Sequence, residues 1–298
     1  MLNKVDIFQH PSGNHYNIPK EIATEGGRNY IVEERLGYGG NAVVYRCTDK
    51  FSNDDYAIKF LMNYKDSKRK VRFVHESNYL KLCAHNHIVA HVDCGSVKGS
   101  WLRKSSKRHY EKNISFLIIA YSELGDLRKH LNSKSKVEPE IYMAQFRGLS
   151  EALAHMHSKN ILHRDIKPEN VLIMGDKWCL SDFGLATSSE KANRIDITGD
   201  KEKVGPMFWM SPEATNKCLG SNASHSKINK CSDVFQLASV FWFIVNKKHP
   251  SGILGEKDWK GKKEIYQVLN KALQHNPKNR FIDGREFSEA LINAIEQN

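Results

Sequence analysis

The sequence predicts an α+β chain, with strands gathered before about residue 121 and helices after it. Two patterns carry that expectation. Short runs rich in β-branched and aromatic residues, Y-I-V-E-E-R-L from Tyr30, D-Y-A-I-K-F-L-M from Asp55 and F-L-I-I-A-Y from Phe116, sit between glycine, asparagine and aspartate. Residues 138–159 instead place Tyr142, Phe146, Leu149, Leu153 and Met156 at steps of three and four, the period of an amphipathic helix. With 298 residues, 40% hydrophobic and 10% aromatic, the chain can bury a substantial core, as one large domain or as two lobes sharing a cleft. No repeat period is visible.

Composition narrows the function classes. The longest apolar run, residues 237–245, is far shorter than a bilayer span and reads as a buried helix. The N-terminal M-L-N-K-V-D-I-F-Q-H-P lacks the apolar core of a secretion signal, so a cytoplasmic protein without membrane contact is expected. Cys47, Cys83, Cys94, Cys179, Cys218 and Cys231 form no C-x-x-C pair and read as reduced thiols packed as small hydrophobes. His85, His87 and His91 are closely spaced but lack the H-E-x-x-H or cysteine partners of a zinc site. The net charge of +11 is densest at residues 65–72 and 102–112. Neither run is interleaved with the aromatics of a single-strand-binding surface, so nucleic acid is not the expected partner. Two readings stay open for these runs: solvated faces, or docking sites for an acidic partner.

Along the chain, residues 1–28 mix polar residues with Pro11, Pro19 and Gly26-Gly27, an irregular lead-in with one short strand at I-P-K-E-I-A. From Tyr30, two strands flank a glycine-rich turn. There Gly37, Gly39 and Gly40 let the backbone approach a phosphate, although hairpins ask for glycines anyway. In the next strand Lys59 lies on one face with Ala57 and Leu61, where burial is costly unless the ammonium meets an anion. The alternative is an edge lysine in water. The segment K-R-K-V-R-F-V-H-E-S-N-Y-L-K-L-C aligns Phe73, Glu76, Leu80 and Cys83 on one helical face, and Glu76 is the expected partner of Lys59 ahead of His75. A strand from His87, a long basic loop to Asn113 and the strand from Phe116 follow. Two lobes, 29–120 and 121–298, are expected to meet near Tyr121–Gly125.

Residues 161–170 read I-L-H-R-D-I-K-P-E-N, with Asp165 two residues before Lys167 and five before Asn170; an apolar hairpin then leads to Asp182-Phe183-Gly184. That spacing suits phosphoryl transfer: one carboxylate orients a hydroxyl, a lysine balances phosphoryl charge, and an amide and a second carboxylate hold magnesium. These motifs resemble the catalytic loop and metal-binding turn of the eukaryotic-type protein kinases, and the resemblance extends over about residues 30–295.

The resemblance implies a bilobal fold, a small antiparallel sheet with one main helix and a larger helical lobe, with ATP between them. It implies catalytic roles for Asp165, Lys167, Asn170 and Lys59, and metal ligation by Asn170 and Asp182, magnesium first and manganese as the alternative. Nucleotide contacts would come from Leu36, Gly37, Tyr38, Gly39, Gly40 and Asn41, from Ala42 in place of the family's third glycine, and from the pocket-lining Val44. Ala57, Lys59, Glu76, the rear-guard Ile119, the connector residues Ala120 and Tyr121, the floor residue Leu172 and Asp182 complete that set. Lys59 matches the lysine of V-A-I-K.

V-G-P-M-F-W-M-S-P-E resembles the end of an activation segment, with Ser211 replacing alanine. Glu213 would pair with Arg280 in a buried ion pair. Asp233 is either a helix cap or, by resemblance, the acceptor of backbone hydrogen bonds from the catalytic loop. Thr187, Ser188, Ser189 and Thr198 are the expected phosphorylation sites, with Arg164 as the cation awaiting the phosphate. The tail, 265–295, reads as two or three helices, and the apolar-poor 252–265 as abbreviated. Protein substrates are the expected partners, with autophosphorylation through transient self-association. Two rivals carry less of the sequence. A pseudokinase would lack Lys59, Asp165 or Asp182, and a small-molecule phosphotransferase would favour H-G-D in the loop. The acceptor signals conflict: Lys167 resembles serine/threonine kinases, whereas Pro206 and W-M-S-P-E resemble tyrosine kinases, leaving tyrosine or dual specificity as the alternative.

Overall fold

The computed structural model describes residues 3–8, 15–39, 42–62, 67–103, 108–133, 136–190, 208–219 and 228–297, with backbone alone at 102, 103 and 108. Two compact units emerge, residues 1–77 with 90–121, and residues 78–89 with 122–298.

The first unit is an eight-stranded antiparallel sheet in the order β1-β2-β7-β8-β6-β5-β4-β3. Its strands are β1 (Lys4–Phe8), β2 (His15–Pro19), β3 (Glu21–Ala23), β4 (Asn29–Tyr38), β5 (Ala42–Asp49), β6 (Asp55–Leu61), β7 (His91–Arg103) and β8 (Arg108–Ala120). Only Lys20 separates β2 from β3, yet these strands lie near opposite ends of the strand order, so the sheet curls back on itself. The seam is hydrogen-bonded: Val32 N–H donates to the Lys20 carbonyl at 2.8 Å, and Glu25 N–H to the Cys94 carbonyl at 3.0 Å. Ile7, Ile18, Tyr30, Val32, Val43, Phe60 and Phe116 fill the interior, with Phe60 and Phe116 edge to face at 6.1 Å. On β7, Gly95 makes room for the Phe116 ring and Gly99 for Ile114.

Residues 1–28 are therefore not an irregular lead-in. They supply three strands, and Tyr16, Ile18 and Ile22 point into the core. The β1 backbone is satisfied by a side chain: the Tyr45 hydroxyl accepts from Phe8 N–H at 3.3 Å and donates to the Asp6 carbonyl at 3.2 Å. The expected basic loop before Asn113 is also regular structure, the β7–β8 hairpin with Trp101 opposite Tyr110. Its covered face is interrupted by Gly99 and Lys112, which pair between Val97–Ile114 and Trp101–Tyr110 and weaken the apolar alternation in the sequence. Between β6 and β7, α1 (Ser67–Leu82) buries Phe73, Glu76 and Leu80 along one stripe, as its period requires, with Cys83 buried just past its end. Residues from Asn78 onward cluster with the second unit, so the division falls inside α1 rather than only at the connector.

The second unit is helical: α2 (Leu127–Ser133), α3 (Pro139–Ser158), α4 (Pro212–Cys218), α5 (Lys230–Asn246), α6 (Lys263–Ala272) and α7 (Gly284–Glu296). Short strands β9 (Ile161–Leu162), β10 (Val171–Met174), β11 (Lys177–Leu180) and β12 (Thr187–Ser188) form two pairs, β10 with β11 and β9 with β12. The core is built on α3. Phe146 stacks on Phe241 of α5 at 3.9 Å, and Phe241 on Phe287 of α7 at 6.2 Å. At Gly284 a Cβ would sit 2.8 Å from backbone atoms of Leu153 and Ala154, so the start of α7 packs directly on the α3 backbone. The apolar run 237–245 is the buried body of α5, and no helix among the described residues is long and apolar enough to cross a membrane. All six cysteines are unbridged; burial pushes the Cys83 thiol up to about 12 and the Cys179 thiol up to about 11, which keeps both protonated.

Glu213, in the first turn of α4, meets Arg280 in a bidentate pair at 2.8 and 3.0 Å, and Ser232 Oγ donates to the same carboxylate at 2.7 Å. Both side chains are buried. Burial alone would raise the Glu213 pKa, but the Arg280 guanidinium outweighs it and holds the carboxyl below its ordinary value. Arg280→Met should therefore cost about 3–5 kcal/mol in denaturant unfolding, because a carboxylate is left buried without its cation. Glu213→Leu/Arg280→Met should lose less than the single variant. Since the folded pKa is depressed, the pair stabilises the fold above the ordinary glutamate pKa and that contribution is lost as pH falls through the lower folded value. The double variant should lack this acid-dependent part of the stability curve.

Candidate active site

β9 leads into the 163–170 loop, and nearly every polar group along that loop has a partner. Asp233, in the first turn of α5 and 0% exposed, accepts from His163 N–H at 2.7 Å and from Arg164 N–H at 2.8 Å. His157 Nδ1 accepts from Gly284 N–H at 2.8 Å, which leaves its Nε2 to donate to Asp233 at 3.2 Å. Gln236 Oε1 accepts from Ile166 N–H at 3.1 Å, and its Nε2 donates to the Arg164 carbonyl at 3.3 Å. Held this way, Arg164 sits at a φ of 65°, a left-handed conformation unusual for a residue with a side chain. Its Nε donates to the Leu185 carbonyl at 2.7 Å. Asp233 thus receives the loop backbone, as the resemblance implied.

The loop brings three of the expected groups together. Asp165 Oδ2 accepts from Lys167 Nζ at 3.1 Å and from Asn170 Nδ2 at 2.8 Å, while the same amide donates to the Asp165 carbonyl at 2.8 Å. Asn170 also fixes the next strand pair: its carbonyl accepts from Ser181 N–H at 2.9 Å and Ser181 Oγ at 3.0 Å. Ser181 precedes Asp182, which itself adopts φ 58° and accepts from Gly184 N–H at 3.4 Å. Burial raises the Asp165 pKa above its ordinary value; Lys167 pulls it down, and the negative charge of Asp182 pushes it up.

His163 is a residue whose role sequence reasoning left unassigned. Its Nδ1 accepts from Asp165 N–H at 3.3 Å and its Nε2 meets the Ser181 carbonyl at 3.1 Å, with Phe183 packed at 5.0 Å. The ring therefore ties the loop to the turn that carries Asp182. Its position beside Arg164 and Asp165 was the available signal. Leu172 lies part-buried on β10 opposite Cys179.

In the first unit, Lys59 Nζ meets Glu76 Oε1 at 2.7 Å, with both side chains largely buried. The sheet register sets Lys59 beside Val44 and Leu117, and Ala57 beside Ile119; Ala120 lies opposite Tyr56, and Tyr121 follows β8 part-buried. Leu36, Gly37 and Tyr38 end β4, with Gly37 opposite Val44, and Gly39 N–H donates to the carbonyl of the buried Ala42 at 2.9 Å. A Cβ on Gly37 or Gly39 would meet nothing within 4 Å. Packing inside the protein therefore does not demand glycine there. Gly40, Asn41, Thr198 and Pro206 lie outside the described residues.

One expectation changes. Thr187 and Ser188 are not open loop hydroxyls: they form β12, paired with β9, and both are buried. Their polar sequence concealed a distant partner strand, since Thr187 pairs with Leu162 and Ser188 with Ile161. Ser189 N–H donates to the Asn160 carbonyl at 2.7 Å. The three close histidines are divided among separate contacts: His85 stacks on His155 at 5.5 Å, His87 Nδ1 meets the Trp178 carbonyl at 2.9 Å, and His91 Nε2 meets Ser77 Oγ at 3.0 Å. Among the described residues, no cluster of three His, Cys, Asp or Glu side chains is arranged to hold a metal ion.

The family model for the protein kinase domain matches residues 30–297. The chain belongs to the protein kinase family. The kinase domain is 25% identical over 292 residues to a probable serine/threonine-protein kinase of Clostridium acetobutylicum, covering 91% of this chain and 41% of that protein. It is 27% identical over 225 residues to the serine/threonine-protein kinase PrkC of Bacillus subtilis, covering 74% and 31%. It is 26% identical over 281 residues to the dual specificity protein kinase Ttk of Danio rerio, covering 87% and 27%. The chain spans less than half the length of these curated relatives.

Lys167 is the main charge opposing the burial of Asp165. Lys167→Met should therefore raise the Asp165 pKa above its wild-type value, so that the carboxyl takes up its proton at a higher pH. A carbon-13 NMR titration of labelled aspartate reads this directly. An unmoved Asp165 midpoint would show that the ammonium does not govern the carboxylate.

Proposed function

We propose that this chain is an ATP- and magnesium-dependent protein kinase that transfers the γ-phosphoryl group to protein hydroxyls, serine and threonine first. The observation that carries the reading is the Asp165–Lys167–Asn170 cluster, whose contacts of 2.8–3.1 Å converge on one carboxylate oxygen. Asp165 would accept the hydrogen bond of the acceptor hydroxyl and orient it, and Lys167 would stand beside it to balance phosphoryl charge. Lys59, held in place by Glu76, would bind nucleotide phosphates.

The residues present fit the nucleotide and the metal. Open space where Cβ atoms of Gly37 and Gly39 would lie suits a ligand pressed against bare backbone. With the Asn170 Nδ2 group directed at Asp165, its amide oxygen is the group suited to a cation, and the carboxylate of Asp182 would share that role. Asp182 and Asp165 oppose each other's charge, which a divalent ion would relieve. Bound magnesium would supply charge neutralisation on the phosphates, and manganese is the alternative with the same oxygen preference. Autophosphorylation falls to the part-exposed Ser189, to Thr198 or to other hydroxyls rather than to Thr187 or Ser188, because a buried strand hydroxyl cannot enter an active site.

A dual-specificity reading is favoured by one relative's name and by the W-M-S-P-E sequence after Pro206. Lys167 lies nearer the chemistry and supports serine or threonine.

Asp165→Asn should lower phosphoryl transfer by about 10²–10⁴-fold, the usual worth of a positioned base, while leaving nucleotide binding nearly unchanged. Steady-state transfer to a generic protein, run beside a small-molecule panel, measures it; near-wild-type turnover would remove the assignment. Peptides differing only in serine, threonine or tyrosine should be used in that order, read by phosphoamino-acid typing. Phosphotyrosine alone would reverse the acceptor assignment.

A further inference from the structure

Among the described residues, the side chain of Arg35 links the strand that leads into the glycine-rich turn to β1 of the N-terminal hairpin. The β4 ladder is irregular where it approaches the turn, with register shifts between Val32 and Arg35 and between Arg35 and Gly37. Backbone pairing thus specifies this end of the strand less firmly than its beginning. Arg35 lies between two rings: its Cζ is 4.6 Å from the Phe8 ring centroid and 5.3 Å from that of Tyr38, and its Nη1 reaches the Phe8 carbonyl at 3.4 Å. Tyr38 sits between Gly37 and Gly39 and is more than half exposed, so the cation is a neighbour that can fix its ring.

Phe8 is itself held from behind. The His15 ring stacks on it at 4.7 Å and a 19° tilt, and His15 Nδ1 meets Asp6 Oδ2 at 2.7 Å. The Tyr45 hydroxyl clamps the β1 backbone at Asp6 and Phe8. A continuous set of contacts therefore runs from β1 and β2, through Phe8 and Arg35, to the side chain that ends β4.

We propose that Arg35 is a positioning residue for nucleotide binding, which couples β1 to the end of β4 and holds Tyr38, between Gly37 and Gly39, in place before the nucleotide arrives. This rests on the kinase reading above. Backbone already held at these positions loses less freedom when phosphate settles against Gly37 and Gly39, so affinity rises without any direct contact from Arg35. The hairpin, read from sequence as a lead-in, thereby becomes part of the nucleotide-binding apparatus.

The test is calorimetric binding of magnesium-ATP to the full chain, with thermal melting as a check on folding. Arg35→Ala should weaken binding about fivefold, the factor corresponding to loss of one exposed cation–π contact. It should raise KM for ATP more than it lowers kcat. Phe8→Leu, which keeps an apolar side chain but removes the ring face, should weaken binding in the same direction and covers the case in which Arg35→Ala fails to fold. Arg35→Lys should restore most of the affinity, since an ammonium can also lie over a ring. Arg35→Ala/Phe8→Leu should bind no more weakly than Arg35→Ala, because both changes break one connection. Wild-type affinity in folded Arg35→Ala, or additive losses in the double variant, would overturn the proposal while leaving the kinase reading intact. Wild-type protein that binds no nucleotide would overturn both.

Discussion

A single buried carboxylate holds the 163–170 loop in shape. Asp233 has no access to water and satisfies three donors, two backbone N–H groups of the loop and one imidazole from α3. Without those bonds nothing would compensate Arg164 for its left-handed backbone, a conformation costing on the order of 1–3 kcal/mol for a residue with a side chain. The strain is useful because it turns the chain sharply between His163 and Asp165, aiming the imidazole at Ser181 and the carboxylate at Lys167 and Asn170. Asp233 is fixed in turn by its place in the first turn of α5, whose start is closed by the reciprocal Asn229–Ser232 cap. Ser232 then reaches Glu213, so the cap of one helix supports the buried ion pair beside it. Loop geometry, helix capping and the Glu213–Arg280 pair are one connected polar network.

The same logic explains which parts of this chain were legible in its sequence. Lys59 and Glu76 could be paired because each occupies an apolar face defined by local periodicity, and a charge on such a face calls for a counter-charge. The Asp165, Lys167 and Asn170 cluster was readable from spacing alone, since a short loop brings neighbours in sequence together in space. The Glu213–Arg280 pair was reached through resemblance, because nothing local links residues 67 positions apart.

What escaped was structure whose reason is distant. Residues 1–28 carry short strands broken by proline and glycine, and their alternation becomes meaningful only when Tyr16 meets Trp101, Ile18 lies with Ile114 over Gly99, and Ile22 pairs with Tyr30 across a curled sheet. The β7–β8 hairpin was hidden because Gly99 and Lys112 interrupt the face that Val97, Trp101, Tyr110 and Ile114 otherwise mark. Thr187 and Ser188 are polar, which favours a loop reading, and only pairing with Ile161 and Leu162 makes them a strand.

The charged pairs are also completed within separate units. Lys59 is neutralised by Glu76 inside the sheet unit, and Asp165 by Lys167 inside the helical unit. Neither pair needs a ligand to escape the cost of an isolated buried charge, so both can be kept in place permanently. Burial nevertheless leaves Asp165 with a raised pKa even beside its lysine, and Asp182 adds to the rise. Added positive charge near those two carboxylates would oppose that rise, and this, more than the net charge of +11 spread over the chain, is the electrostatic support for the cation site proposed at Asn170 and Asp182.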